Sequence, residues 1–217
     1  MLKLLEDKPI VRLAAVQAIS QLSTPETLGL VFQAFESDLC PNIHSYISII
    51  LSLGAKAEVN IHEALKKPIS QEKIALLIEL VGAIPLRSLY LDILSFADHP
   101  EKEVRIKVAR ALGGLSIPDS VPVLIRLASD TAWEVQAQAV KGLGRLKSPE
   151  ALDILAEAFF SKDWHVRFNA RSGLMSLGEA GVKRLEEISQ QTRDSYAAAM
   201  AAMALHDLYL SCEQMNP

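Results

Sequence analysis

The feature that most constrains the fold of this chain is a 31-residue period that runs through its 217 residues without an insertion. One column of the period contains Ile19, Ile50, Val81, Leu112, Leu143, Leu174 and Leu205. A second column, three residues further on, contains Leu22, Leu53, Ile84, Leu115, Leu146, Leu177 and Leu208. Because both columns are aliphatic at every position, the pattern indicates a stack of repeats in which each copy buries its apolar side against its neighbours.

Within one copy the apolar residues have helical spacing. In the sixth copy one stripe consists of Val166, Ala170, Leu174 and Leu177, and a second stripe consists of Val182, Leu185 and Ile188. Spacings of three and four residues place each stripe on one face of a helix, and Gly178 separates the two helices. Half of the residues are apolar and 6% are aromatic, which is typical of closely packed helices. The sequence therefore predicts an all-α fold of paired antiparallel helices.

The predicted helices span residues 9–22, 26–36, 42–54, 57–66, 71–84, 87–97, 102–115, 118–128, 133–146, 149–160, 164–177, 180–190 and 194–210. They form about six helix pairs after an N-terminal half-repeat, and we predict that residues 1–217 form one elongated domain. Residues 1–7 are in register with residues 32–38, so the chain opens inside a helix whose beginning is missing. Since Leu2, Leu4 and Leu5 stand where a terminal repeat carries a polar cap, we expect a fragment of a longer protein.

Two further columns concern packing between the copies. Small residues predict that helix backbones approach closely at Ala18, Ala111, Gly142, Gly173 and Ala204, a column interrupted by Ile49 and Leu80. The column of Val104, Val135 and Val166 contains Asn42 and Lys73 in the second and third copies. We expect those two copies to depart most from the common repeat.

The charge balance argues against a nucleic-acid ligand. Lys and Arg number 22 against 26 for Asp and Glu, giving a net charge of −4, whereas nucleic-acid-binding domains carry a basic excess. Cys40 and Cys212 lie near opposite ends of the array, too far apart for a disulfide in an extended stack. No apolar run approaches the ~20 residues that cross a bilayer. We predict a cytoplasmic chain with reduced thiols and no membrane span.

The repeat resembles a known family. Residues 103–113 read EVRIKVARALG, residues 117–124 read IPDSVPVL, and residues 133–155 and 164–185 repeat the pattern. These segments resemble the HEAT-like repeats of the type named after phycobilisome lyases. The resemblance implies a right-handed α-solenoid in which the Val-Arg helix of each pair, here called the inner helix, lines the concave side. It also resembles bacterial proteins in which such an array follows a membrane anchor, which implies a tether at the cytoplasmic membrane face in a missing N-terminal segment.

The resemblance assigns a role to one column of arginines at the start of inner helices. These residues, implied to tie neighbouring turns together, are Arg12, Arg105 and Arg167. The other copies have Ile43, Ile74, Gln136 and Ala198 in that column. We therefore predict a polar ladder with interruptions.

Two enzymatic branches of the resemblance make different demands on the sequence. A di-iron hydroxylase binds metal through His-Glu pairs in several repeats, and this chain has one such pair, His62-Glu63. Bilin lyases use HEAT-like subunits to attach a chromophore to a partner, and an accessory subunit of that kind is the alternative function. The chain lacks the Gly-x-Ser-x-Gly, His-Glu-x-x-His and Cys-x-x-Cys motifs. We predict a non-enzymatic protein without catalytic, cofactor-binding or metal-binding residues.

The predicted function is that of a scaffold or adaptor that holds a protein partner on the concave face. Residues between the core positions of the inner helices would form the floor of this face. Partner contacts are predicted at Lys107, Arg110, Glu134, Gln138, Lys141, Arg145, His165, Asn169, Met200 and Met203. The basic members favour an acidic peptide or a phosphate-bearing group, and a solvated face of mixed charge is the alternative.

Trp133 and Trp164 are 31 residues apart and so occupy equivalent places at the entry to adjacent inner helices. As edge contacts they would bracket a partner segment across the ~10 Å between packed helices. The alternative is that each ring caps the turn between two helices. Met200 and Met203 likewise offer an adaptable apolar contact or cover the end of the stack.

Overall fold

The computed structural model describes residues 16–19, 21, 24–37 and 43–215, with side chains as far as residue 210. The α-helices, in chain order, are α1 (Pro25–Glu36), α2 (Ile43–Leu53), α3 (Glu58–Leu65), α4 (Gln71–Ala83), α5 (Tyr90–Leu94), α6 (Lys102–Leu115), α7 (Val121–Leu127), α8 (Trp133–Leu146), α9 (Leu152–Ala158), α10 (Trp164–Ser176), α11 (Glu179–Gln191) and α12 (Ser195–Met215). Residues 16–19 and 21 are also helical. The all-α fold class is confirmed. Most of the predicted helix 9–22, together with Leu2, Leu4, Leu5, Arg12, Cys40 and Asn42, lies outside the described residues, as does the side chain of Cys212.

The second helices of three pairs differ from the prediction of one continuous α-helix. Each begins with a short 3-10 turn, at Arg87–Leu89, Pro118–Ser120 and Pro149–Ala151, before the α-helix proper. Two of the three turns begin with proline, Pro118 and Pro149, whose missing N–H would be unsatisfied at a helix start in any case. The turn at Arg87–Leu89 has no proline, and 3-10 turns are common at helix starts in general. The α-helices that follow are therefore only five to seven residues long.

The chain forms two compact units, Met1–Ala111 and Leu112–Pro217. In the first unit α1 packs on α3 and α2 packs on α4. In the second unit α8 packs on α10, and α12 packs on both α10 and α11. Within each unit, helices thus pack against the equivalent helix of the neighbouring copy, which is how a repeat array buries its apolar surface. The single domain over residues 1–217 stays a prediction.

The first aliphatic column forms the core of both units. Ile50 and Val81 are completely buried in the first unit, and Leu112, Leu143 and Leu174 are completely buried in the second. The second column is buried at Leu53 and Leu115, which are 7% and 1% exposed. It is half-buried at Ile84, Leu146, Leu177 and Leu208. A three-residue step falls about 60° short of a full helical turn, so the two columns lie on the same side of the helix, and the second is buried in some copies and marginal in others.

Glycines let the inner helices approach each other closely. A Cβ added to Gly113 would lie 2.6 Å from the Cα of Gly142, and one added to Gly144 would lie 2.9 Å from the Cα of Gly173. In the first unit Gly82 has the same relation to Ala111, at 2.8 Å. The predicted close approach at Ala111, Gly142 and Gly173 is confirmed, and each small residue faces a glycine of the preceding copy.

Lys73 occupies a core column because its ammonium group caps a neighbouring helix. The side chain is 6% exposed in relative terms, and Nζ donates hydrogen bonds to the carbonyl oxygens of Glu36 and Ser37 at 3.1 and 2.7 Å. Those carbonyls lie at the end of α1, where helix carbonyls lack partners and the helix dipole favours a cation. The charge at this core position therefore has a structural reason.

Replacing Lys73 by methionine is expected to lower the free energy of unfolding by about 1.5–3 kcal/mol, because the apolar stem is kept while hydrogen bonds from a charged donor are lost. The matched control is Lys66→Met, since Lys66 is exposed and forms an ion pair with Glu63 at 3.0 Å. An exposed pair of this kind contributes little to stability because solvent screens it, so the control is expected to lose much less than Lys73→Met. Urea titrations followed by circular dichroism measure both changes, and equal losses in the two variants would contradict the capping role of Lys73.

Among the residues that the structure describes, no helix is long and apolar enough to cross a membrane.

Candidate functional site

Glu79 holds together two basic residues that were predicted to contact a partner. Lys107 donates to Glu79 Oε2 at 2.7 Å, and Arg110 donates to Glu79 Oε1 at 3.0 Å. The carboxylate of α4 thus compensates part of the positive charge of α6. The structure brings Lys107 and Arg110 together, but in a form that attracts an acidic peptide less than two unpaired cations would.

A cavity of about 310 Å³ lies beside this ion pair in the first unit, between α4 and the start of α6. We call it the acidic groove. Its charged lining consists of Glu72, Glu101, Glu103 and Lys107. Its apolar lining includes Ala75, Leu76 and Val104. A cavity of this size is at the lower limit of small-molecule sites.

Aromatic side chains form an exposed surface on the second unit, which we call the aromatic cluster and define as Trp133, Trp164, His165 and Phe168. His165 stacks on Trp133 with ring centroids 5.1 Å apart, and it meets the Trp164 ring edge to face, also at 5.1 Å. Trp164 in turn stacks on Phe168 at 5.2 Å. Between 43% and 53% of each of the three larger rings is exposed. The two tryptophans do not leave an open slot, because His165 contacts both.

Local structure explains why these rings meet. The Asp163 carboxylate accepts hydrogen bonds from the backbone N–H groups of His165 and Val166, at 2.8 and 3.2 Å, and so begins α10 at Trp164. Phe168 follows Trp164 by four residues, which places both on one helix face. Trp133 begins α8 at the equivalent position of the preceding copy. The stacking of neighbouring copies then brings Trp133 and His165 together.

The other predicted contact residues on α8 and α10 have different surroundings. Lys141 and Arg145 are exposed, and within the described part of the chain neither side chain takes part in a hydrogen bond or ion pair. Glu134 and Gln138 are half-buried. Asn169 donates to the backbone carbonyl of Ala137 at 2.8 Å. Its amide therefore joins two inner helices, which reduces what it can offer a partner.

The last inner helix, α12, carries the apolar end of the predicted floor. Met203 is 65% exposed and Tyr196 is 51% exposed, whereas Met200 is half-buried. The guanidinium carbon of Arg167 lies 4.7 Å from the centre of the Tyr196 ring, within the range of a cation–π interaction. Arg167 therefore fixes the orientation of one exposed aromatic ring.

In two described copies the arginine column ties the inner helix to the loop before it. Arg105 Nη1 donates to the carbonyl oxygens of His99 and Pro100 at 2.8 and 2.9 Å, and Arg167 Nη1 donates to Ser161 O at 2.9 Å. Gln136 occupies the same column and donates to Asp130 O at 2.5 Å. A glutamine thus performs the same local task, so the polar ladder continues through a copy where the sequence predicts an interruption.

His62, the member of the predicted single His-Glu pair, forms a bond between copies. Its Nδ1 lies 2.9 Å from Asp92 Oδ2, and its Nε2 is 3.9 Å from the adjacent Glu63 carboxylate. In the described residues no group of three or more His, Cys, Asp or Glu side chains is arranged to hold a metal ion. His62 therefore links two neighbouring copies through its contact with Asp92.

Two features of these surfaces were missed by sequence reasoning. Phe168 extends the aromatic cluster, and its signal was the four-residue spacing from Trp164. Glu101 lines the acidic groove from the turn before α6. Because it precedes the helix, the helical columns did not include it.

Sequence comparison decides the family. Residues 91–161 and 133–206 match the profile described as HEAT repeats, and together these segments cover more than half of the chain. The chain belongs to the HEAT-repeat family. No curated protein sequence matches it.

Solved structures similar to this HEAT-repeat chain are helical repeat proteins. An engineered protein has a TM-score of 0.56 at 18% identity, over 95% of this chain and 67% of that chain. A designed armadillo repeat protein in complex with the peptide (KR)4 has a TM-score of 0.55 at 18% identity, over 82% of this chain and 99% of that chain. The complex of CpcE and CpcF of phycocyanin lyase from a Nostoc species has a TM-score of 0.47 at 19% identity, over 95% and 80% of the two chains. The first two similarities establish a helical repeat solenoid, a fold typical of protein-binding scaffolds.

Proposed function

We propose that this HEAT-repeat chain is a non-enzymatic scaffold or adaptor that binds a protein partner on the concave side of its inner helices and along the edge where these helices begin. The observation that carries the proposal is the aromatic cluster of the second unit. Its members lie at the starts of two inner helices and are about half exposed. Contiguous exposed apolar surface on a folded protein marks an interaction site more often than single scattered residues do.

The composition of the cluster supports a protein partner. Trp residues are enriched among the interface residues that contribute most to binding, because a rigid ring buries a large area at a small entropic cost. Stacking on His165 and Phe168 orders the two Trp rings before any partner arrives. Pre-ordered contact residues lose less conformational freedom on binding. Lys141 and Arg145, also on α8, would supply the charged contacts that commonly surround such a centre.

The fold comparison adds general support. One of the similar structures is a designed armadillo repeat protein bound to a peptide. Its similarity to this chain extends to the fold, and peptide binding by the present chain is part of the proposal. Repeat solenoids offer a series of equivalent helix surfaces that an extended segment can contact one after another.

A quantitative pull-down from a native lysate tests the proposal with Trp133→Ala/Trp164→Ala beside the wild-type chain. Truncation of a central interface Trp costs about 2–4 kcal/mol, so retention of a true partner is expected to fall more than tenfold. The matched control is Val59→Ala/Leu91→Ala, which removes apolar side chains that are 71% and 73% exposed on second helices. A partner retained equally by both folded variants would place the binding site away from the aromatic cluster.

A second arm tests the charged contacts with Lys141→Glu/Arg145→Glu. These residues are preferred to Lys107 and Arg110, since reversing the latter pair would leave Glu79 facing like charges. The accessory bilin-lyase role stays a prediction, and it differs from the proposed function in one observable. Binding of a bilin chromophore to the isolated chain would favour the lyase-type role over the scaffold.

A further inference from the structure

We infer that the acidic groove of the first unit binds the side chain of a lysine or arginine in an extended segment of a protein partner. This inference relies on the proposed function only for the existence of such a partner. It assigns a different surface from the aromatic cluster and a defined ligand chemistry.

The groove has an apolar interior that suits a hydrocarbon stem. Val104 is completely buried and Ala75 is 7% exposed, so these side chains belong to the packed surface between α4 and α6. Leu76 is half-buried beside them. Leu76 and the exposed part of Ala75 form the accessible apolar wall, and a cavity of about 310 Å³ has room for one long side chain. Lys and Arg bury their methylene groups along apolar surface while the charged end stays near polar groups.

Three carboxylates at the groove have no partner among the residues that the structure describes. Glu72, Glu101 and Glu103 are all exposed. Within the described residues, none of their carboxylates forms an ion pair or a side-chain hydrogen bond. Their negative charge is therefore available to an incoming cation. Hydrogen bonds between ionised groups are about twice as strong as those between neutral ones.

Lys107, the basic residue that lines the groove in the described part of the chain, is already paired. Lys107 is bound to Glu79, which also binds Arg110. This arrangement keeps the ammonium group of Lys107 from neutralising the three free carboxylates fully. It also removes the positive charge that an acidic peptide would need. The charge of the groove thus favours a basic occupant.

An extended basic segment fits this surface better than a bound metal ion. No set of three or more carboxylates in the described residues has metal-binding geometry. Carboxylates spread along a groove are instead suited to a flexible ammonium or to the planar guanidinium of Arg, whose several donors reach more than one oxygen. The apolar walls would also contribute nothing to a hydrated ion.

Peptide binding to the full chain tests the inference. The probe is a fluorescein-labelled peptide of alternating lysine and alanine, and fluorescence anisotropy gives its dissociation constant. The test variant is Glu72→Gln/Glu101→Gln/Glu103→Gln, which keeps side-chain shape and removes the charge. We expect it to bind the peptide at least tenfold more weakly than the wild type, and added salt is expected to weaken wild-type binding.

The matched control is Glu150→Gln/Glu157→Gln/Glu186→Gln, three exposed carboxylates of the second unit. It changes the net charge by the same amount and is expected to bind like the wild type. The same peptide with acetylated lysines keeps the stems without the charge and is expected to lose binding. Equal weakening in both triple variants would show unspecific charge attraction and overturn the inference. So would wild-type binding of the acetylated peptide, or no binding of the lysine peptide at all.

The peptide-binding experiment and the pull-down can fail independently of each other. Trp133→Ala/Trp164→Ala is expected to bind the lysine peptide as the wild type does, because its changes lie in the second unit. If the lysine peptide fails to bind while a lysate partner still depends on the two Trp residues, only the groove inference fails. If the peptide binds and no lysate partner depends on the Trp residues, only the role of the aromatic cluster fails.

Discussion

Replacement of Phe159 by alanine is expected to lower the free energy of unfolding of the second unit by about 3–5 kcal/mol. Phe159 is completely buried and is among the largest fully buried side chains of the described residues. The loss has two parts, the transfer free energy of the buried ring and the cost of a cavity that close-packed helices cannot fill. Urea denaturation followed by far-ultraviolet circular dichroism measures the change, which amounts to much of the stability of a typical domain.

The adjacent residue provides the control for this prediction. Phe160 is 44% exposed, and its ring meets that of Phe159 edge to face with centroids 6.0 Å apart. Phe160→Ala removes the same group but leaves no closed cavity. It is expected to cost about 0.5–1.5 kcal/mol, the energy of an aromatic pair. Comparable losses in the two variants would show that Phe159 does not anchor the core.

Gly181→Ala is the second change with a large expected effect. An added Cβ would lie 1.8 Å from the backbone carbonyl oxygen of Leu174 and 2.8 Å from its carbonyl carbon. The obstacle is backbone of α10, which no rotamer change can move aside. α11 would have to shift away from α10, and we expect a loss of about 3 kcal/mol or more, at or above the upper end of overpacking costs.

Gly29→Ala is the matched control and is expected to act in the opposite direction. Gly29 lies within α1, and nothing is found within 4 Å of a Cβ built there. Alanine at an unobstructed helical position stabilises by about 0.4–1 kcal/mol, because the unfolded chain loses conformational freedom. Chemical denaturation of both variants gives the two signs. A stable Gly181→Ala protein would mean that α10 and α11 are further apart than the structure shows.

The helices and their order were predictable from local pattern. Spacings of three and four residues define a helix face. The first aliphatic column is completely buried at Ile50, Val81, Leu112, Leu143 and Leu174. The small-residue column also predicted close approach at Gly142 and Gly173. These results follow from short sequence separations, where one helix turn sets which residues share a face. The 3-10 starts of the second helices were not predictable to the same degree, because they depend on a few residues at each turn.

The candidate sites were predictable only in part. The inner-helix columns contain Trp133, Trp164, Lys107 and Arg110, and the structure places all four on the surface of inner helices or at their starts. The pairing of Lys107 and Arg110 with Glu79 was not foreseen, although Glu79 and Arg110 are one period apart. A period specifies which residues are equivalent, but it does not specify which side chain of one copy reaches which side chain of the next.

By itself, the sequence determined an all-α stack of repeated helix pairs. The spacing of aliphatic residues gives each segment one apolar helical face, and this face is buried by packing against the neighbouring copies. Only the tertiary structure decided what the exposed side chains contact. Neighbouring copies bring together groups 28 to 32 residues apart, such as Lys107 with Glu79 and Asn169 with the carbonyl of Ala137. Those contacts depend on the offset between packed helices and on side-chain length. Contacts of this kind give the second unit a stacked aromatic surface and the first unit a groove whose carboxylates have no partner among the described residues.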